Sequence, residues 1–196
     1  MTGKLFGVRR AVLAVAAVAS LAAGAAAAQT APRWIVDPAH SQIVFESSAE
    51  GQSFEGRFQT WSADIQFDPK QLDQSKVVVT VDTASAVTGD DSRDQTAHSS
   101  DWLSSVMFPK ATFVAKSFKD LGSGKYEADG DLTIRGVSQP LALPFDLTIA
   151  GDQASMTGET SVDRTLFGVG QGEYGGADIV PVDVKVRVAV QAKLAK

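Results

Sequence analysis

From Ser41 onward the chain alternates apolar and polar residues in short runs, the period of a strand with one buried face. The last run is the clearest: Val182, Val184, Val186, Val188 and Val190 fall on one face, with Asp183, Lys185, Arg187 and Gln191 on the other. The run from Gln139 to Ile149 does the same with Leu141, Leu143, Phe145, Leu147 and Ile149. Weaker alternation covers Ser41 to Ser48, Glu55 to Phe67, Lys76 to Asp82, Ala111 to Phe118, Tyr126 to Ile134 and Ala154 to Asp163, which brings the total to about eight strands. Between them lie Asp68-Pro69, Gly122-Ser123-Gly124, Gly136-Val137-Ser138 and Gly151-Asp152, where Gly and Pro supply the backbone angles that tight turns demand. Short turns make neighbouring strands antiparallel.

Strands with one apolar face each remove their adhesive edges by closing on themselves, and a barrel of about eight strands leaves an interior just wide enough for one small ligand. The pattern therefore predicts an all-β fold, a closed antiparallel eight-stranded barrel, with a two-sheet sandwich as the alternative. One stretch breaks the rhythm: Thr88 to Ser105 lacks alternation, is rich in Asp and Ser, and predicts a short helical insertion leading to Trp102 and Leu103 as a lid or plug.

The N-terminus has a different character. Lys4, Arg9 and Arg10 precede an apolar run from Ala11 to Ala23, followed by Gly24 and small alanines before Gln29. That order predicts a secretory signal cleaved after Ala28, because the apolar run is shorter than the roughly 20 residues of a membrane-spanning helix. The segment 1–28 is then the signal, 29–33 a linker and 34–196 one barrel domain, and the expected location is the periplasm. Arg9-Arg10 matches the twin-arginine signal only loosely, so ordinary export is favoured.

Removing the signal takes Lys4, Arg9 and Arg10 from 18 basic residues and leaves the 23 acidic ones, a net charge near minus eight. Nucleic acid, which demands clustered Lys and Arg, is thereby excluded as a partner. The absence of cysteine excludes disulfides, thiolate nucleophiles and lipid attachment through a post-signal Cys. An outer-membrane barrel would carry aromatic girdles at both interfaces, whereas this chain has two tyrosines and its aromatics are mostly Phe scattered along the strands.

Candidate chemistry is sparse. Asp90, Asp94 and His98 recur every four residues, so a helix would align them as metal ligands; a solvated helix face with Asp near its N-terminus is the simpler reading. His40 beside Ser41 cannot act as base and nucleophile in a strand, where adjacent side chains point to opposite faces, and His40 is expected to hydrogen-bond at a strand start. Gly168, Gly170 and Gly172 fit neither phosphate-loop spacing and suggest a tight loop, pinned by an Asp163–Arg164 ion pair; Arg93–Asp94 is expected to be a structural pair of the same kind. No catalytic centre, cofactor or metal is implied. Large rigid side chains remain: Phe45, Phe58, Trp61 and Trp102, then Phe108, Phe113, Phe145 and Phe167. Such residues line ligand pockets and ordinary cores alike.

A family resemblance separates the two. Trp34-Ile-Val-Asp37-Pro-Ala-His40-Ser41-Gln-Ile43-Val-Phe45, Gly56-Arg-Phe58 and Asp64-Ile-Gln-Phe67-Asp68 resemble the opening of the YceI-like proteins. Arg93-Asp94, Asp101-Trp102-Leu103, Phe108-Pro109-Lys-Ala-Thr-Phe113, Gly130-Asp131-Leu-Thr133-Ile-Arg135-Gly136-Val137 and Asp163-Arg164-Thr-Leu-Phe167-Gly168-Val169 continue in the family's order. Two positions depart: Thr96 stands where a His often follows the Arg-Asp pair, with His98 two residues later, and Trp102 replaces a frequent Phe and enlarges the plug. The resemblance implies a lipocalin-like barrel that binds a polyisoprenoid or other long amphiphilic chain, with no established catalysis. On that basis the eight aromatics are expected to grip the tail, with Arg93 or Arg164 near a polar head. Three other readings stay open: a metal-dependent or other enzyme acting through Asp90, Asp94 and His98; a stress-related structural protein whose barrel is filled by its own side chains; and, for partners, transient membrane contact and a homodimer.

Overall fold

The computed structural model describes residue 2 and residues 30–196, so the segment expected to be a signal, with its cleavage after Ala28, lies outside the described residues. Among the described residues the strands are β1 (Arg33–Val36), β2 (Gln42–Ala49), β3 (Gln52–Phe58), β4 (Trp61–Gln66), β5 (Lys76–Asp82), β6 (Ala86–Val87), β7 (Lys110–Gly122), β8 (Lys125–Ile134), β9 (Val137–Ala150), β10 (Gln153–Asp163) and β11 (Asp183–Leu194); one helix, α1, spans Asp91–His98. The order β1-β4-β5-β7-β8-β9-β10-β11 closes through pairing of β1 with β11, an eight-stranded antiparallel barrel.

The remaining strands extend three of the eight staves. β11 pairs with β1 at its end, Trp34 opposite Leu194, and with β2 at its beginning, Phe45 opposite Val186. β1 and β2 are thus one stave interrupted at Pro38–His40, where the Asp37 carboxylate accepts the Ala39 amide at 3.0 Å and the His40 Nδ1 at 2.8 Å. β3 and β4 form the next stave, β5 and β6 the third, the latter broken at Thr83–Ser85 under the Asp82 carboxylate. An Asx turn suits each break because its side chain replaces a ladder hydrogen bond. The sequence reading missed β1 and β6, which at four and two residues are too short to show alternation.

The two ends of the barrel differ. At one end Trp34 Nε1 donates to the Phe67 carbonyl at 3.0 Å, and the Phe67 ring meets Phe118, Tyr126 and Phe145 edge-on at 5.2, 5.7 and 6.1 Å. This aromatic floor closes the barrel. At the other end β6 pairs only with β3, and β7 begins at Lys110 opposite Asp82, so a seam opens between β6 and β7. α1 and residues 99–109 fill it. Thr88 donates from its amide (2.7 Å) and hydroxyl (2.6 Å) to Asp94, His98 Nε2 donates to the Ala86 carbonyl at 2.9 Å, and the buried Thr83 hydroxyl donates to the Phe108 carbonyl at 2.7 Å.

Candidate functional site

Between the aromatic floor and α1 lies a cavity of about 660 Å³, well within the roughly 300–1,000 Å³ typical of small-molecule sites. The reading in which side chains fill the barrel does not hold. The inward faces of β9 (Leu141, Leu143, Phe145, Leu147) and β11 (Val184, Val186, Val188, Val190) form one wall and Val77, Val79 and Val81 of β5 the opposite part of the ring, the same positions that alternate in the sequence. Alternation has this effect because side chains two apart on a strand share a face. Phe45 and Phe58, opposed at 5.4 Å, and Trp61 and Phe113 add rigid surface. Phe45 reaches across its neighbour strand because Gly56 has no side chain: a Cβ there would lie 2.2 Å from the Phe45 ring.

Of the residues proposed from sequence, Phe45, Phe58, Trp61, Phe113 and Phe145 line the walls and Arg93, Trp102 and Arg164 line the α1 end. Phe108 and Phe167 are not in the lining. The Phe108 ring packs beneath the Arg135 guanidinium at 5.8 Å and beside Gly136, and Phe167, 3% exposed, belongs to a cluster with Val162 and Val169. Both follow interruptions of the strand pattern, Phe108 in the plug and Phe167 in the 3₁₀ turn Arg164–Phe167, where period-2 reasoning no longer fixes direction.

Arg164 is built differently from the expected ion pair. Its side chain is buried, 2% exposed, and donates to the carbonyls of Pro181 (2.9 Å), Val169 (2.8 Å), Gly170 (3.5 Å), Gly176 (2.8 Å) and Val180 (2.8 Å). The Asp163 carboxylate instead accepts the Thr165 amide and hydroxyl, at 2.9 and 2.6 Å. The guanidinium's planar fork suits this cradle, since its five fixed N–H groups each meet a carbonyl and no donor is left unserved. Burial pushes the Arg164 pKa down, opposed by the Asp163 charge, while the Thr165 hydroxyl holds Asp163 below the usual carboxylate range. Arg164 therefore pins the 169–181 loop over the barrel end. Arg93 also lacks the expected partner: its guanidinium lies 4.4 Å from the Phe54 ring, while Asp94 serves Thr88.

The plug is held by a residue outside the candidate set. Arg135, at φ +51°, donates through Nη1 to the carbonyls of Ser100 (2.6 Å) and Trp102. Trp102 then packs between Tyr174, at 5.3 Å, and the Arg164 guanidinium, at 5.2 Å from its ring. Phe54 and Tyr174 were also missed; alternation in Gln52–Phe58 marks Phe54, but nothing local marks Tyr174.

The metal alternative fares poorly on geometry. Asp90 caps α1 by accepting the Arg93 amide at 2.8 Å, Asp94 holds Thr88 and His98 holds Ala86, and among the described residues no three His, Cys, Asp or Glu side chains are grouped to hold an ion.

Residues 34–193 match the YceI-like domain. The chain belongs to the YceI-like family. This YceI-like protein is 36% identical to a UPF0312 protein of Vibrio parahaemolyticus over 138 residues, which cover 67% of this chain and 73% of the relative. Its barrel is similar to the crystal structure of Burkholderia cenocepacia BcnA, with a TM-score of 0.78 and 30% identity over 81% of this chain and all of that one. It also shares its fold with a polyisoprenoid binding domain from Saccharophagus degradans implicated in plant cell wall breakdown, at a TM-score of 0.66 and 15% identity, over 84% of this chain and 99% of that one.

Proposed function

We propose that this YceI-like protein is a periplasmic carrier or sequestering protein that holds a polyisoprenoid or similarly long amphiphilic lipid inside the barrel. The observation that carries the reading is the cavity itself, about 660 Å³, floored by Phe67, walled by the apolar faces of β5, β9 and β11 and roofed by α1 and Trp102. A chain buried there gains roughly 0.8 kcal/mol for each methylene taken from water, so length rather than any single contact supplies affinity. The S. degradans domain of the same fold is named for polyisoprenoid binding, which supports this class of ligand. Export is supported by the charged, apolar and small-residue order of residues 4–28. Transient membrane contact belongs to the same reading and is supported by Val106 and Met107, 93% and 73% exposed on the plug segment.

The test is native mass spectrometry of the protein recovered from the periplasm, followed by solvent extraction and identification of what is released. A lipid with a long apolar chain, bound one to one, is the expected result. Recovery of ligand-free protein that also fails to take up polyprenyl probes overturns the proposal.

A further inference from the structure

The cavity lining is polar almost exclusively at its α1 end, and most polar groups there are already satisfied. The hydroxyl of Thr83 donates to Phe108, Thr88 to Asp94, Thr96 to Ser92 at 2.9 Å, and Thr160 to Ala142 at 3.0 Å. Arg164 is saturated by five carbonyls. Three donors stand out among what remains. Arg93 projects from α1 into the lining with its guanidinium over the Phe54 ring, and among the described residues it makes no side-chain hydrogen bond or ion pair. Across the β2–β3 pair from Phe54 sits Ser47, whose hydroxyl is shielded from water and unpaired; the Trp102 indole N–H, also in the lining, is shielded and unpaired too. Among the described residues no carboxylate forms an ion pair with Arg93: Asp90 accepts the Arg93 amide, Asp94 accepts from Thr88, and Glu50, which like Asp90 is part of the lining, lies on the exposed β2–β3 turn.

A cation without an ion-pair partner, in the same lining as two unpaired donors, calls for an acceptor. Shielded donors left unpaired cost about 1–3 kcal/mol each, and a guanidinium binds planar or tetrahedral oxyanions through paired N–H groups. We infer that the ligand is an anionic amphiphile whose carboxylate or phosphate head is held at the α1 end by Arg93, with Ser47 and, after a small rotation of its ring, Trp102 as neutral donors, and whose tail runs toward the Phe67 floor. This rests on the lipid-binding reading and specifies its head chemistry and orientation. It separates the roles of the two arginines: Arg93 reads the head and Arg164 holds the loop.

The test uses the mature chain and three probes of equal chain length, hexadecanoic acid, monohexadecyl phosphate and hexadecanol, each displacing a fluorescent apolar dye at pH 8. The anions are expected to bind about tenfold or more tighter than the alcohol, with a preference that shrinks as salt rises. In Arg93→Gln the anion-to-alcohol ratio should collapse toward one, and Arg93→Lys should restore much of it. Whichever anion binds tighter assigns the head as carboxylate or phosphate. Equal binding of alcohol and anions by the unaltered protein, or a preference that survives in Arg93→Gln, overturns the head site while leaving the lipid barrel standing. Failure of all three probes to displace the dye overturns both.

Discussion

The Arg164 guanidinium lies 5.2 Å from the Trp102 ring while donating to the carbonyls of the loop from Val169 to Pro181, so one buried cation ties the plug to the loop that covers the barrel end. A cation at this distance from an indole is attracted by the ring's quadrupole, and more so where water is excluded. Plug and loop are therefore expected to loosen together.

Arg164→Ala leaves those carbonyls without the guanidinium donors, and the bonds to Val169, Gly170 and Val180 are buried. The expected loss is about 3 kcal/mol or more, a fall of roughly 10 °C in Tm, and Arg164→Lys should recover little because one ammonium cannot reproduce the fork. Thermal unfolding followed by circular dichroism checks this. Wild-type stability in Arg164→Ala would show that the loop is held by something else.

Gly170 has a φ of +80°, and a Cβ added there would lie 2.1 Å from Arg164 Nη1. Gly170→Ala therefore combines left-handed strain with a clash against the guanidinium and is expected to cost about 2–3 kcal/mol. Gly51, at φ +79° with nothing near its Cβ position, is the control: Gly51→Ala meets the strain alone and should cost about 1 kcal/mol.

Trp102→Ala opens the roof of the cavity without touching the ring of staves. Affinity for a long-chain apolar probe should fall about tenfold, with the far-ultraviolet dichroism of the barrel unchanged. Undiminished affinity would remove Trp102 from the lining that grips the ligand.

The Asp163 carboxylate sits below its ordinary pKa in the folded chain because the Thr165 hydroxyl and amide bind its charged form. Its contribution to stability is present above the unfolded-state pKa, near 4, and is lost as pH falls through the lower, folded value. Asp37 and Asp82, which cap the interrupted staves, are lowered in the same direction. Stability measured by denaturant unfolding should hold from pH 7 to about 5 and decline below about pH 4. In Asp163→Asn that decline should be shallower.

Much of the barrel is legible in the chain because the evidence for it is local. Val184 to Val190 and Leu141 to Leu147 alternate, and a period of two leaves each side chain only two directions, in or out. β5 falls at Lys76–Asp82, where alternation alone predicts it. Legibility stops where partners are distant in sequence. Asp163-Arg164 reads as a pair of opposite charges, yet adjacent residues at a strand end diverge, and Arg164 turns to carbonyls that lie from 5 to 17 residues away. Arg135 bonds to the plug more than 30 residues upstream. Phe108 and Phe167 are large and apolar like the true lining residues, and only the irregular backbone around them decides that they pack elsewhere. Aromatic content marks an interior; it does not say which side of a turn faces the space.

The seam between β6 and β7 has a consequence for anyone who would widen this barrel. Beyond the Asp82–Lys110 pair the β6 strand has no ladder partner on that side, and the bonds from His98 to Ala86 and from Thr88 to Asp94 are what keep α1 laid against it. A raw strand edge is a template for intermolecular pairing. Excising residues 88–109 to expose the interior would trade a roof for a self-adhesive rim, and the product should precipitate or form swapped oligomers rather than remain a monomeric open cup.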